Sequence, residues 1–476
     1  MKYPSILVLS IALLVGTASG AVWYVHPDSS MNCIQDCLDS CATGDTILVG
    51  AGTYHESIIW PAAQSIVLIS EYGADTTIID GDSTSTVIFL AGTVDSTTII
   101  DGFTIQNGND LNSGGIMCDN AAPTIRNNNI RNNFGIYGAG ITCIWSSGNP
   151  IIEGNTIAHN HADSTGGGIS IAYGAAPRIL ANIIDSNTAY RGGGIYSRDN
   201  APIIEGNAIT GNYAAWFGGG IYLLQSQAII TNNTITTNRT LIYEQGAGIY
   251  IGTNSAPTIK HCVISDNFRE GIVGYLSFGT IDSCTIVGNE FDGMTFSGGA
   301  SPTIHHCNIY GHLSYGLRNI NTTTTIDAEN NWWGHTTGPY HASTNPGGQG
   351  DAVTNFVDFD PWLSDSVHGI GIEELVVEKP LAFNLQVNPN PFTDRTQIRF
   401  TIHDSRSTIE NTALSIYDAS GRLVKSFNHE SCIMDHGSAI SWDGTDQLNR
   451  RLPSGVYFVN LSTEKQSETR KVLLVR

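Results

Sequence analysis

The sequence predicts an all-β chain, a right-handed parallel β-helix solenoid followed by a small β-sandwich, and three observations predict it. A Gly-Gly-Ile or Gly-Ala-Gly-Ile phrase recurs, with its Gly-Ile step at Gly115-Ile116, Gly140-Ile141, Gly168-Ile169, Gly194-Ile195, Gly220-Ile221, Gly248-Ile249 and Gly271-Ile272, degenerating to Gly293-Met294 and Gly316-Leu317. The spacings are 25, 28, 26, 26, 28, 23, 22 and 23 residues, a period that marks units unable to bury an apolar face alone, so that neighbours must stack. Within each unit, β-branched runs such as Thr124-Ile125-Arg126 and Thr258-Ile259-Lys260 set one Ile between polar neighbours, the period of two of a half-buried strand. After Leu363 the repeat stops, and from Leu385 strands alternate with turn residues to the end of the chain.

In chain order, residues 1–20 carry Lys2, an apolar run from Ile6 to Val15 and the small residues Ala18-Ser19-Gly20, the pattern of a secretory signal peptide cut before Ala21. Residues 21–363 form the solenoid. Three short strands, punctuated by Gly, Asn and Pro, complete each coil, and each coil climbs by about 4.8 Å, the spacing of hydrogen-bonded strands. One corner column reads Asn128, Asn155, Asn182, Asn207 and Asn233, continued by Cys262, Cys284 and Cys307. Stacked at strand spacing, these amides bond one another. A second column reads Asn133, Asn160, Asn187, Asn212, Asn238, Asn267 and Asn289, where Asn is expected to supply the left-handed conformation of a tight corner. Residues 364–384 are an acidic linker, and 385–476 an immunoglobulin-like sandwich.

These features resemble two known families. Ile34-Gln35-Asp36, Gly44-Asp45-Thr46-Ile47-Leu48-Val49 and Gly52-Thr53-Tyr54-His55-Glu56 resemble the opening of the pectin-lyase-like right-handed β-helix superfamily, and Asn330-Asn331-Trp332-Trp333-Gly334 with Asp360-Pro361-Trp362-Leu363 resembles its end. The resemblance implies a capping helix and first strand, and no single activity, since the superfamily hosts lyases, hydrolases, esterases and non-catalytic modules. Asn388-Pro389-Asn390-Pro391-Phe392, Trp442-Asp443-Gly444, Gly455-Val456-Tyr457-Phe458 and Lys471-Val472-Leu473-Leu474 resemble the C-terminal sorting domains of the type IX secretion system. That resemblance implies export through the periplasm to the outer surface or beyond, with the secretion machinery as partner.

Charge separates the two parts. Residues 381–476 carry 11 basic and 10 acidic side chains, and residues 21–380 carry 10 and 33. A net charge of −23 over residues 21–380 repels nucleic acid and other polyanions unless divalent cations intervene. No later stretch has the length and apolarity of a membrane-spanning helix. Of nine Cys, Cys33, Cys37 and Cys41 recur every four residues on the cap helix, where they pair or pack. Cys118 and Cys143 take the same place in adjacent coils, within reach of a bridge if their Cβ atoms approach to about 4.5 Å.

The longest repeats carry insertions before the Gly-Ile step: Ala162-Asp163-Ser164-Thr165, Ala189-Tyr190-Arg191, Ala214-Ala215-Trp216-Phe217 and Thr240-Leu241-Ile242-Tyr243-Glu244-Gln245. Stacking makes them neighbours along one edge, where repeat proteins carry function. The residue after the strand Ile reads Tyr196, Tyr222 and Tyr250 and points outward. Three exposed rings either stabilise the sheet as a ladder or, with Tyr190, Trp216 and Tyr243, offer sugar rings a platform. Asp163, Arg191 and Glu244 are the candidate catalytic groups of a lyase or glycosidase, with calcium as the cation that a polyuronate lyase of the superfamily would use. No residue is assigned as a metal ligand. His305 is expected to face out and His306 to approach a turn one rung from Asp282. Three functions follow: a secreted binder of polysaccharide or cell-surface glycan, a polysaccharide lyase or glycoside hydrolase, and a structural or adhesive surface spacer.

Overall fold

A computed structural model describes residues 20–367, apart from 93, 146–148 and 242–244, and in the C-terminal part residues 383–388, 390, 392–402, 413–418, 422–427, 438–448, 450–462 and 467–475. Residues 1–19 of the expected signal peptide and the greater part of the linker fall outside the described residues. Chain contacts divide the protein into two compact units, Met1–Ile372 and Glu373–Arg476.

The first unit is a parallel solenoid. Each coil contributes one strand to each of three stacked sheets, of 14, 11 and 12 strands. In one coil, Thr124–Arg126 joins sheet I, Asn129–Arg131 joins sheet II and Ile141–Ile144 joins sheet III. The pairing stays in register: Ile125 lies beside Ile152, Ile152 beside Ile179, and Ile179 beside Ile204. In the repeats one isoleucine from each strand of sheets I and II, and one or two apolar residues from each strand of sheet III, project into a single continuous core running from Val25 to Phe359. The expected cap helix spans Ile34–Ser40 and buries Ile34, Cys37 and Leu38. A strand at Val22–Val25 precedes it and pairs with Thr46–Val49, an element the sequence reading did not separate.

Both asparagine columns form ladders between coils. The Asn155 backbone N–H and side-chain amide both donate to Asn182 Oδ1, at 2.9 and 3.0 Å, while Asn182 Nδ2 donates to the Ile152 carbonyl at 2.8 Å and to Asn207 Oδ1 at 3.0 Å. The first ladder passes through the buried thiols of Cys262, Cys284 and Cys307 and ends at Asn331, whose Oδ1 accepts the Cys307 N–H at 2.8 Å. The second ends at His312, which follows Asn289 by one coil; its Nε2 lies 3.4 Å from Asn289 Nδ2 and its Nδ1 2.7 Å from Asp351 Oδ2.

The expectation that the ladder Asn itself turns the corner is corrected. The positive φ falls one residue earlier, at Asn127, Ala181, Asn232, His261 and His306 in the first column and at Asn132, His159, Ser186, Thr237 and Asp266 in the second. The left-handed residue redirects the chain at the surface, which leaves the following Asn pointing inward with its amide buried. Cys33, Cys37, Cys41, Cys118, Cys143, Cys262, Cys284 and Cys307 are free thiols, so Cys118 and Cys143, register partners in sheet III, pack without a bridge. Cys432 lies outside the described residues.

The second unit contains antiparallel sheets of three and four strands around a cluster that buries Trp442, Val459, Leu461, Val472 and Leu474, the layout of a small β-sandwich. Asn390, from the Asn-Pro-Asn-Pro-Phe phrase, accepts the Leu473 N–H at 2.8 Å and donates to the Lys471 carbonyl at 2.9 Å, fastening the last strand to the start of the domain.

Candidate functional site

The first three inserted segments do not remain loops, and the fourth contributes Thr240 to the same structure. They form a fourth, six-stranded sheet that includes His161–Thr165, Thr188–Arg191, Tyr213–Phe217 and Arg239–Thr240. Its inner column is Ala162, Ala189, Ala214 and Thr240, all buried, and side chains this small let the added sheet lie close to the solenoid. Glycine then brings the chain into sheet III. A Cβ on Gly219 would stand 2.6 Å from the carbonyl oxygens of both Ala247 and Arg239, and Gly218, at φ +63°, passes directly over Tyr222.

This close approach corrects the aromatic platform. Tyr196, Tyr222 and Tyr250 do point away from the core and stack as a ladder, with ring centres 5.3 and 5.4 Å apart and planes within 7° of parallel. They are nevertheless buried, at 6–8% exposure, because Phe217 folds over them, 5.8 Å from Tyr222 and 4.4 Å from Tyr250. With Val273 they form an apolar cluster of their own, packed by Phe217 and Leu224. Burial raises the Tyr196 phenol above its ordinary value and pushes that of Tyr222 up to about 12, with the Tyr196 neighbour adding to the effect; burial raises Tyr250 as well. These hydroxyls stay protonated near neutral pH and are not bases.

The accessible part of the cluster lies one layer out. Trp216 stacks on Phe217 at 4.8 Å and meets Tyr190 edge-on at 5.3 Å. The Arg191 guanidinium carbon lies 5.1 Å from the Tyr190 ring centre, 5.3 Å from Trp216 and 6.0 Å from Phe217. Its Nε is buried without a hydrogen-bond partner, and among the described residues no carboxylate forms an ion pair with it. The structure thus brings Tyr190, Arg191 and Trp216 together. Asp163 is turned toward its own strand neighbour, with Oδ1 3.2 Å from His161 Nε2. Tyr243 and Glu244 lie outside the described residues.

Sequence reasoning missed Phe217 as the lid of the ladder and also missed a surface pair, Trp145 and Tyr173. These exposed rings stack at 4.3 Å with planes 9° apart. Each follows its Gly-Ile step by the same offset, so aligning the coils at that position exposes the pair. Elsewhere on the solenoid, His306 Nδ1 stands 2.9 Å from Asp282, as the one-rung spacing predicts, Lys260 Nζ stands 3.4 Å from the same carboxylate, and His305 Nε2 stands 2.7 Å from Asp327. Burial pushes the Asp282 carboxyl up, but hydrogen bonds from His306 and Lys260 outweigh it and hold the group below the ordinary carboxylate range.

Fold and sequence together define the class: a right-handed parallel β-helix protein that carries a C-terminal sorting domain for export to the cell surface or beyond. Residues 181–332 match the family described as a right handed beta helix region, residues 386–475 a secretion system C-terminal sorting domain, and residues 65–202 a family described as a protein of unknown function. Comparison with curated proteins finds no match.

Among solved structures, the chain is similar to the A-module of the Azotobacter vinelandii mannuronan C-5 epimerase AlgE4, at 11% identity and a TM-score of 0.36 over 70% of this chain and 94% of that one. It is similar to the catalytic domain of a GH87 alpha-1,3-glucanase in complex with nigerose, at 14% identity and a TM-score of 0.21 over 74% and 67%. A third likeness, to PorZ, a surface component of the type IX secretion system of Porphyromonas gingivalis, has 21% identity and a TM-score of 0.16; it covers 23% of this chain and spans 13% of that protein's length. No helix among the described residues is long and apolar enough to cross a membrane.

Proposed function

We propose that this exported β-helix binds extracellular polysaccharide at the edge made by its fourth sheet, with Tyr190, Arg191 and Trp216 as the contact residues. Arg191 carries the reading. Among residues 21–380, whose net charge is −23, this guanidinium is held by the faces and edges of aromatic rings and has no described carboxylate partner. Aromatic rings offer the C–H faces of a pyranose an apolar contact, and a guanidinium donates to sugar oxygens in a fixed fork. The buried Tyr196, Tyr222 and Tyr250 support the edge from below and do not touch the glycan. Residues 1–20 would carry the chain into the periplasm, and the C-terminal domain would engage the type IX machinery to leave it.

The test is titration of the full chain with a panel of oligosaccharides. Tyr190→Ala and Trp216→Ala should each weaken the best ligand roughly fivefold or more, about 1 kcal/mol for the loss of one ring. Tyr190 is the more exposed of the two, so its variant should melt with the parent. Unchanged affinity in both variants would overturn this assignment of the edge.

A further inference from the structure

We infer that His55, Asp80 and Asp82 form a binding site for one divalent transition-metal cation on the first coils of the solenoid, with the imidazole and one oxygen from each carboxylate as ligands. His55 ends the strand Gly52–His55, Asp80 ends Thr77–Asp80, and the two are register partners on adjacent coils. Asp82 follows across a turn in which its N–H donates to Asp80 Oδ1 at 3.0 Å. The three ligand atoms all lie within 4.8 Å of one another, and His55 Nδ1 is 2.8 Å from Asp82 Oδ1. A cation with bonds of about 2.1 Å holds its ligands roughly 3–4 Å apart, so a small rotation of the two exposed side chains seats it.

The arrangement behind the ligands points the same way. Asp80 is 7% exposed, and its Oδ2 accepts from Gln106 Nε2 and Asn107 Nδ2, each at 2.8 Å, both from the next coil. Outer donors of this kind fix the orientation of a ligating carboxylate, and Oδ1, which accepts one N–H from Asp82, keeps a second lone pair for the metal. One imidazole with two carboxylates suits zinc, cobalt, nickel or manganese, whereas calcium takes oxygen ligands throughout. The next three positions of the register column are Gln106, Arg131 and Ala158, which carry neither imidazole nor carboxylate, and the trio is the one such group within ligating distance among the described residues, so one ion per chain is expected. Neither Gly-Ile spacing nor a short motif marks this trio in the sequence, because it forms only when two coils stack. It is independent of the glycan edge, since its ligands precede the first strand of the fourth sheet at Asn109–Asp110.

Cobalt(II) is the probe, because the free thiols of the protein would announce any competing site by thiolate-to-metal charge transfer. Titration of the full chain should saturate at one Co²⁺ per chain, with ligand-field bands and no charge-transfer band. Affinity should fall about tenfold or more in His55→Ala and in Asp82→Asn, both surface changes, with metal-free unfolding temperatures unchanged. Absence of saturable binding, a thiolate signature, or parental affinity in both variants would overturn the site.

Discussion

Asn182 shows what one residue does in a ladder. It accepts two N–H groups of Asn155 and donates to the Ile152 carbonyl, in a position from which water is excluded. Asn182→Ala strands all of those groups, and each buried polar group left unmet costs about 1–3 kcal/mol, so chemical denaturation should show a loss of roughly 2 kcal/mol or more. Asp282 makes a pH-dependent contribution. Its carboxyl is held below its ordinary value in the folded chain, so the stability it adds is complete above the unfolded carboxylate range, near pH 4, and is lost as pH falls through the lowered folded value. His306 and Lys260 are about half exposed, which limits the effect to about 1 kcal/mol or less. The stability difference between the parent and Asp282→Asn should therefore shrink as pH falls below about 4; a difference that widened over that range would refute the pairing.

At the scale of elements, the fourth sheet depends on glycine and alanine in fixed places. A methyl group at Gly219 meets two backbone carbonyl oxygens, which cannot move without shifting whole coils. Gly219→Ala should destabilise by about 2 kcal/mol or more, whereas Gly347→Ala, where an added Cβ meets nothing, should stay within about 0.5 kcal/mol. Comparing their melting curves separates close approach from a general cost of replacing glycine. The register bulges at Ala162/Thr165 and Ala189/Arg191 set two residues, Asp163-Ser164 on one side and Ala215-Trp216 on the other, against the single Tyr190, which is how inserted residues are taken up without breaking the repeat. Phe217 turns inward over the tyrosine ladder, and its large apolar surface explains why an outward-facing column ends up dry.

For the whole molecule, the two units answer to different demands. The solenoid is acidic and stacked coil on coil, while the C-terminal domain is near neutral and antiparallel, with its last strand held by Asn390. Removing residues 385–476 should leave a folded solenoid that accumulates in the periplasm, measured by fractionation; secretion of the truncated chain at the parental level would show that export does not need the domain.

The repeat, the inward isoleucines and both asparagine columns were legible in the sequence alone, because each recurs once per coil and a coil-to-coil register admits one stacking. Outward direction was legible too: Tyr196, Tyr222 and Tyr250 do leave the core. Exposure was not, since it depends on which later segment lies across that face, and Phe217 is brought there by a glycine turn that the strand period does not describe. The same holds for the ring contacts of Arg191, for His312 at the end of a ladder whose residue type changes, and for His55 beside Asp80. Local periodicity determined which side chains point in and which point out. Only the stacked coils decided which outward side chains meet one another, because those encounters join residues about 25 positions apart whose spacing varies with every insertion.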